Sequence, residues 1–424
     1  MKTIFISVLT ILLFAFPVFS QETNETTEIS EIEETGDYQK ALSNAKKMLE
    51  KDSLNENLWV ETGKLYRLNQ QYKQAIGAYE KALKINPSNK KHLLSLAKTY
   101  RLAGSKDASI KLYREFLQYE PNNIMALIDL GQIYSSSNLT DSAAVTYKKL
   151  YLLDTLNVEY LQKWASNQWF SGNYKEGFIN YKKAYWLDST YLPVVFDLAR
   201  IYINNKFQDS AIAILEMNIK VAPQESRLYA DLGNAIFSKA EYLLAIPNYE
   251  KAIELGFRGN DAYKRLGICY YSTKEFEKSQ KIFEYMILKD STDYRIFMYL
   301  GNIYNNLDEA AKAIVSFNKA ISLLTPDPMV VSAIYSGLIE SYRVNGNFSE
   351  QISTILKRSE SLPIQYRSPQ YLFEIAQIYE LDLKDKKKAV KYYQDYYAAI
   401  KEISTYSKEN KEAILSKINR LKQD

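Results

Sequence analysis

One cysteine, Cys269, and one histidine, His92, are all that 424 residues hold of two residue types on which much protein chemistry depends. A lone thiol excludes an internal disulfide and any multi-cysteine zinc site, and a lone imidazole removes the usual general base and metal ligand from nearly all of the chain. No Walker loop, paired-glycine fingerprint, His-Glu-x-x-His or Ser-His-Asp set occurs either, so neither catalysis nor a cofactor or metal is expected. His92 reads as a surface or partly packed side chain and Cys269 as a buried structural thiol. Glycine (14) and proline (10) are too scarce to turn a many-stranded sheet. Charge of one sign is missing too: 54 Lys and Arg face 50 Asp and Glu, a net +4, which supplies no concentrated basic field for nucleic acid. Beyond the N-terminus no apolar run approaches the roughly 20 residues that a membrane-spanning helix needs. What the chain does have is tyrosine, 36 of them, with 46% hydrophobic residues and 25% charged. A helical protein that packs with tyrosine fits this composition.

Residues 1–20 combine Lys2, an apolar run from Ile4 to Phe16 and small or apolar residues at Val18 and Ser20 before Gln21. That is the pattern of a cleaved secretory signal peptide, with no cysteine for a lipid anchor, and it predicts an exported protein, periplasmic or extracellular. Residues 21–37 follow with Glu22, Glu25, Glu28, Glu31, Glu33, Glu34 and Asp37 and no basic residue, the composition of a solvated leader.

From residue 56 the sequence repeats itself every 34 residues. One lattice site reads Gly63, Ala97, Gly131, Ala165, Ala199, Gly233, Gly267, Gly301; another, twelve residues on, reads Ala75, Ser109, Ala143, Gly177, Ala211, Ala245, Ser279, Ala313. Every residue at both is small. Two aromatic-rich sites accompany them: Tyr66, Tyr100, Tyr134, Gln168, Tyr202, Ile236, Tyr270, Tyr304, and Tyr79, Tyr113, Tyr147, Tyr181, Leu215, Tyr249, Phe283, Phe317. Small residues at two fixed points let two antiparallel helices cross closely, and large rings three or four residues away fill the space beside the crossing. Pro87, Pro121 and Pro223 fall where the second helix must end. A single hairpin cannot bury both of its faces, so the units must stack.

Small residues at the eighth and twentieth positions and aromatics at the eleventh and twenty-fourth, often with Ala at the twenty-seventh and Pro at the thirty-second, resemble the tetratricopeptide repeat. The resemblance implies an all-α, right-handed α-solenoid superhelix of about ten helical hairpins, ending in a capping helix. It divides the chain into a signal peptide (1–20), an acidic leader with a half-repeat (21–55), eight contiguous units (56–327), two degenerate units (328–398) and a C-terminal cap (399–424). The ninth unit is expected to begin near Ser332 after an insertion around 325–328, and loose stacking is expected near 325–331. The tenth is expected near Pro369 with its inter-helix loop lengthened at Leu383–Lys388, and Ile414, Leu415, Ile418 and Leu421 should form the buried face of the cap.

In this family the first helices line a groove, which implies a protein–protein interaction scaffold or adaptor, here in the cell envelope of a bacterium. The twelfth position places Trp169, Ile203, Phe237 and Tyr271 on successive units, with Phe170 and Phe196 nearby. These are either partner-binding anchors or core, and Trp169 and Phe237 are large enough to be both. Lys64, Arg67, Lys98 and Arg101 make the first two units basic. The carboxylate clamp of some family members is present only as the fragment Asn234, Arg265 and Arg295, so binding of a chaperone tail is not implied. Alternatives are a glycan-binding module of a polysaccharide export or assembly system, with rings stacked on sugars, and a regulatory subunit of an enzyme complex. Asp52-Ser53, Asp141-Ser142, Asp154-Thr155, Asp188-Ser189, Asp209-Ser210 and Asp290-Ser291 resemble an O-glycosylation motif of exported bacterial proteins, yet fall mostly where a turn wants a capping residue.

Overall fold

The computed structural model describes residues 38–289, 292–323 and 327–423; the expected signal peptide and acidic leader lie outside them. The described chain is all-helical and forms two compact units, one running to Val194 and the other from Val195. In the first unit, α1 (Tyr38–Lys51) precedes four hairpins: α2–α3 (Glu56–Leu68, Tyr72–Ile85), α4–α5 (Lys91–Leu102, Lys106–Tyr119), α6–α7 (Ile124–Ser136, Thr140–Leu153) and α8–α9 (Val158–Phe170, Tyr174–Leu187). α10 (Leu192–Asn204) contains the division and is followed by α11 (Gln208–Val221). The second unit continues with α12–α13 (Ser226–Phe237, Tyr242–Glu254), α14–α15 (Asn260–Ser272, Phe276–Lys289), α16–α17 (Tyr294–Asn306, Ala310–Leu323), α18–α19 (Pro328–Val344, Phe348–Ser361), α20–α21 (Gln370–Gln377, Lys386–Ile400) and α22 (Lys408–Gln423).

The small sites are sockets for the second aromatic site. Tyr79, Tyr113, Tyr181, Tyr249, Phe283 and Phe317 are fully buried. A Cβ built on Gly63 or Gly131 would stand 3.0 Å from the ring of Tyr79 or Tyr147, and on Gly233, Gly267 or Gly301 only 2.7–2.8 Å from the ring of its own unit. The other small site meets backbone: a Cβ on Gly177 would lie 3.1 Å from the Ala165 carbonyl oxygen, and Ser109 and Ser279 donate to the carbonyls of Ala97 and Gly267 at 2.7 Å. The two helices of a hairpin therefore touch backbone to side chain at one point and close over an aromatic ring at the other.

Several first helices begin on side-chain caps: Asn55, Asn123, Asn157, Glu225 and Asp293 each accept from a backbone N–H two or three residues on. Every hairpin then turns through one left-handed residue, from Gln70 and Gly104 to Ala240 and Lys384, with φ between 53° and 89°. The next N–H reaches back over the turn, as Gln71 does to the Tyr66 carbonyl at 2.8 Å, closing the first helix.

Two register expectations are corrected. α18 starts at Pro328, four residues ahead of Ser332, because Asp327 caps it through the Met329 and Val330 N–H groups and proline suits the first helical position. Residues 324–326 of the expected loose segment lie outside the described residues. In the tenth hairpin the extra residues do not lengthen the loop: the first helix runs on through a π turn, Ile378–Asp382, and Asp385 caps α21 through the Lys388 N–H. At the ends, α1 buries Ala41, Leu42, Ala45 and Leu49 with Leu58 and Leu65, and α22 buries Ile418 and Leu421 with Ala376, Ala389 and Tyr393. Leu415, expected on that buried face, is exposed because it lies off the Ile414–Ile418–Leu421 stripe.

Candidate functional site on the first helices

In the second unit α10, α12, α14 and α16 present a run of rings and guanidinium groups. Phe237 and Tyr271 are half-buried, each held edge-on by the aromatic five residues later: Tyr242 with centroids 5.3 Å apart and Phe276 at 5.8 Å. Tyr299 adds a T-shaped contact to Tyr271 at 5.5 Å and stacks on buried Phe283 at 5.2 Å, so that exposed ring surface is continuous with core. Phe196 is buried, with the Arg227 guanidinium 4.0 Å above its ring, and Arg265 stands 5.4 Å over Phe237. Ile203 is half-buried on α10. The twelfth-position side chains are thus partly open and partly packed, and Phe196 is chiefly a seat for Arg227.

Acid balances this face. Arg200 donates to Asp197 at 3.0 Å, and Arg227 and Asn234 approach Asp231 at 3.4 Å. Burial pushes the Asp231 carboxyl up, outweighing the pull of Arg227, Asn234 and Arg200. Asn234 also accepts from the Tyr249 hydroxyl at 2.9 Å, which ties the face to the buried aromatic below it. Of the clamp-like fragment, Asn234 and Arg265 join this face, whereas Arg295 is turned onto Asp293 at 2.9 Å.

The first unit holds the other candidates. Trp169 is half-buried and meets Tyr174 edge-on at 5.0 Å, while Phe170 is 62% exposed. The basic patch is partly neutralised: Arg101 pairs with Asp129 at 3.3 Å and Lys64 with Glu61 at 3.7 Å. Arg67 and Lys98 are half-buried. Asp129 also accepts from the buried Tyr113 hydroxyl at 2.7 Å, so Arg101 serves a link between the second and third hairpins more than an open anion site.

His92, expected at the surface or partly packed, is buried: its Nε2 lies 2.5 Å from Glu56, which also accepts from Asn86 at 2.7 Å and Asn89 at 2.6 Å. Those three bonds, Asn86 first, hold the Glu56 carboxyl below its usual range. Cys269 is buried as expected, and burial pushes its thiol up to about 12, outweighing Arg265. Its thiolate is suppressed at neutral pH. Sequence reading missed a recurrent inter-hairpin bond: Tyr100, Tyr270 and Tyr304 donate to Glu80, Glu250 and Glu284, always twenty residues back. The signal was visible as Glu recurring fourteen residues after each tyrosine's predecessor in the lattice. Of the glycosylation-like motifs, Ser53, Thr155 and Ser189 lie in turns, where Asp52, Asp154 and Asp188 accept the second following N–H; Asp290-Ser291 is outside the described residues. Among the described residues no group of three or more His, Cys, Asp or Glu could hold a metal ion, and no helix is long and apolar enough to cross a membrane.

These hairpins and their sockets define a stacked helical-hairpin repeat protein. The chain carries tetratricopeptide repeats: residues 57–89, 294–323 and 369–399 match the tetratricopeptide repeat, covering α2–α3, α16–α17 and α20–α21. Such repeats are scaffolds for protein–protein interaction. No curated protein matches the sequence. Solved structures similar to it include a tetratricopeptide repeat protein from Parabacteroides merdae (16% identity, 68% of this chain and 98% of that one, TM-score 0.42). Another is Naa15/Naa10 bound to HypK-THB (12% identity, 95% of this chain and 66% of that one, TM-score 0.41). MamA protein is 25% identical over 39% of this chain and 91% of that one, with a TM-score of 0.36.

Proposed function

We propose that this protein is a non-enzymatic scaffold or adaptor of the bacterial cell envelope that holds segments of partner proteins on its first-helix face. The observation that carries the reading is the half-buried pair Phe237 and Tyr271, each braced by a second ring and set among the cations Arg227 and Arg265. Braced rings lose little side-chain freedom on binding, and ring-plus-arginine surfaces are where binding energy concentrates. Trp169 and Phe170 offer a comparable aromatic site in the first unit. The envelope setting rests on the signal-peptide pattern of residues 1–20.

The test is affinity capture from the native exported fraction with the chain from Gln21 onward, beside a Phe237→Ala/Tyr271→Ala variant of equal helicity. A protein retained by the parent and lost from the variant supports the reading; identical partners on both remove it. Glycan binding is the second reading, favoured by the 62% exposure of Phe170 beside Trp169. Against it, Arg265 stands over Phe237 where a sugar ring would stack. Retention of purified envelope polysaccharide with no protein partner would reverse that preference.

A further inference from the structure

The outer face of the first unit has a character that the scaffold reading does not use. α7 and α9 both pack on α8, and each exposes apolar residues at the same two lattice positions, seven residues apart. On α7 these are Val145, 70% exposed, and Leu152, 64%; on α9 they are Ile179, 44%, and Trp186, 82%. A spacing of seven keeps each pair on one helical face. Between and beside them stand Lys148, Lys149, Lys175, Lys182 and Lys183, against only Asp141 and Glu176 in the two helices. Leu153 and Leu187 extend the exposed apolar surface at the C-terminal ends of both helices.

The inner sides of these helices are fully used: Ala143, Tyr147, Leu150, Tyr181 and Ala184 are buried in the unit. The outward Trp186, Ile179, Leu152 and Val145 therefore contribute nothing to the core, and their exposure has a cost in solubility that a bound surface would remove. Charge limits what can cover them. Lys148 lies 5.6 Å from the Trp164 ring and Lys182 5.8 Å from that of Phe178, so those ammonium groups keep an intramolecular partner, while Lys175 and Lys183 are exposed around the apolar positions and Lys149 is half-buried beside them. Asp188 is folded onto Thr190 at 2.7 Å, and Asp154 accepts from the Leu156 N–H at 3.2 Å, so both acids at the helix ends are engaged by their own turns.

We propose that this α7–α9 face docks on an anionic lipid surface. Protruding apolar side chains interleaved with lysines are complementary to an interface in which acyl chains lie just beneath anionic headgroups, and a tryptophan is suited to that depth. A protruding face lacks the walls that would grip a peptide.

The test is co-sedimentation of the chain from Gln21 onward, which keeps every described residue, with phosphatidylglycerol-containing vesicles and with pure phosphatidylcholine vesicles at low and high salt. Binding confined to the anionic vesicles and weakened by salt is expected, with a blue shift of tryptophan fluorescence. Lys182→Glu/Lys183→Glu should weaken binding about tenfold or more. Trp186→Phe should remove the blue shift while leaving circular dichroism and melting unchanged, since the side chain is solvent-exposed. Equal sedimentation with both vesicle types overturns the proposal, as does a blue shift that survives Trp186→Phe. Binding to polyglutamate with no binding to vesicles would assign the face to an acidic protein segment and overturn it equally.

Discussion

Replacing Gly337 by alanine should expose how tightly the sockets are cut, and should do so in a way that a second substitution repairs. A methyl on Gly337 would lie 2.3 Å from Cζ of Phe317 and 2.8 and 3.0 Å from its two Cε atoms, and Phe317 is fully buried. The ring has little room to retreat, because Gly301 already meets it from α16 and Ile334 and Leu338 pack in the same cluster. Overpacking of this kind costs about 1–3 kcal/mol. The short contact places Gly337→Ala near the top of that range, and the better helix propensity of alanine returns about 1 kcal/mol. A net loss of about 2 kcal/mol is expected. Phe317→Leu alone should cost about 1 kcal/mol by leaving a cavity. Leucine lacks the Cζ and Cε atoms that the new methyl strikes, so the double variant should be no less stable than Gly337→Ala alone, a favourable coupling of about 1 kcal/mol or more. Urea titration followed by circular dichroism, with amide exchange of α16 to α18 to localise the effect, measures the cycle. Strict additivity of the two losses, within about 0.4 kcal/mol, would refute the socket geometry.

Ala240 turns the α12–α13 hairpin with φ 60°, where a side chain carries a strain of about 1–2 kcal/mol, so Ala240→Gly should raise the urea midpoint even though it removes a methyl. Asp293 caps α16 and meets Lys264 and Arg295; burial raises its carboxyl, but Arg295 and Lys264 prevail and bring it to about 2 from 3.8. A carboxyl depressed in the folded state adds stability above its unfolded value and loses it as pH falls through the folded one. Stability measured between about pH 4 and pH 2 should therefore fall more steeply in the parent than in Asp293→Ala. At neutral pH that variant should be destabilised by about 1 kcal/mol through loss of the cap.

Much of this fold was legible because a period of 34 residues, with small residues at two sites and large rings at two others, specifies a helix crossing without reference to the rest of the chain. The left-handed turn residues were not legible: Gln70, Lys206, Ala240 and Lys274 carry no glycine signature, and their φ is imposed by closing helix ends rather than by propensity. The π turn at Ile378–Asp382 was hidden for a similar reason, since an inserted residue reads as loop when the helix can instead widen by one. At the candidate site, sequence spacing named Phe237 and Tyr271 but said nothing of the rings that brace them, although Tyr242 and Phe276 recur five residues later. Nor did it separate Phe196, buried under Arg227, from its more open neighbours. Arg101 looked basic until Asp129, from the next hairpin, was placed beside it.

The most direct test of the scaffold account is the affinity of one captured partner segment, as a synthetic peptide, for the parent and for Phe237→Ala/Tyr271→Ala by isothermal titration calorimetry. Loss of at least about 2 kcal/mol, roughly thirtyfold in Kd, is the predicted result for anchors of this kind. Equal affinity for the two proteins would place the binding site elsewhere and contradict the account.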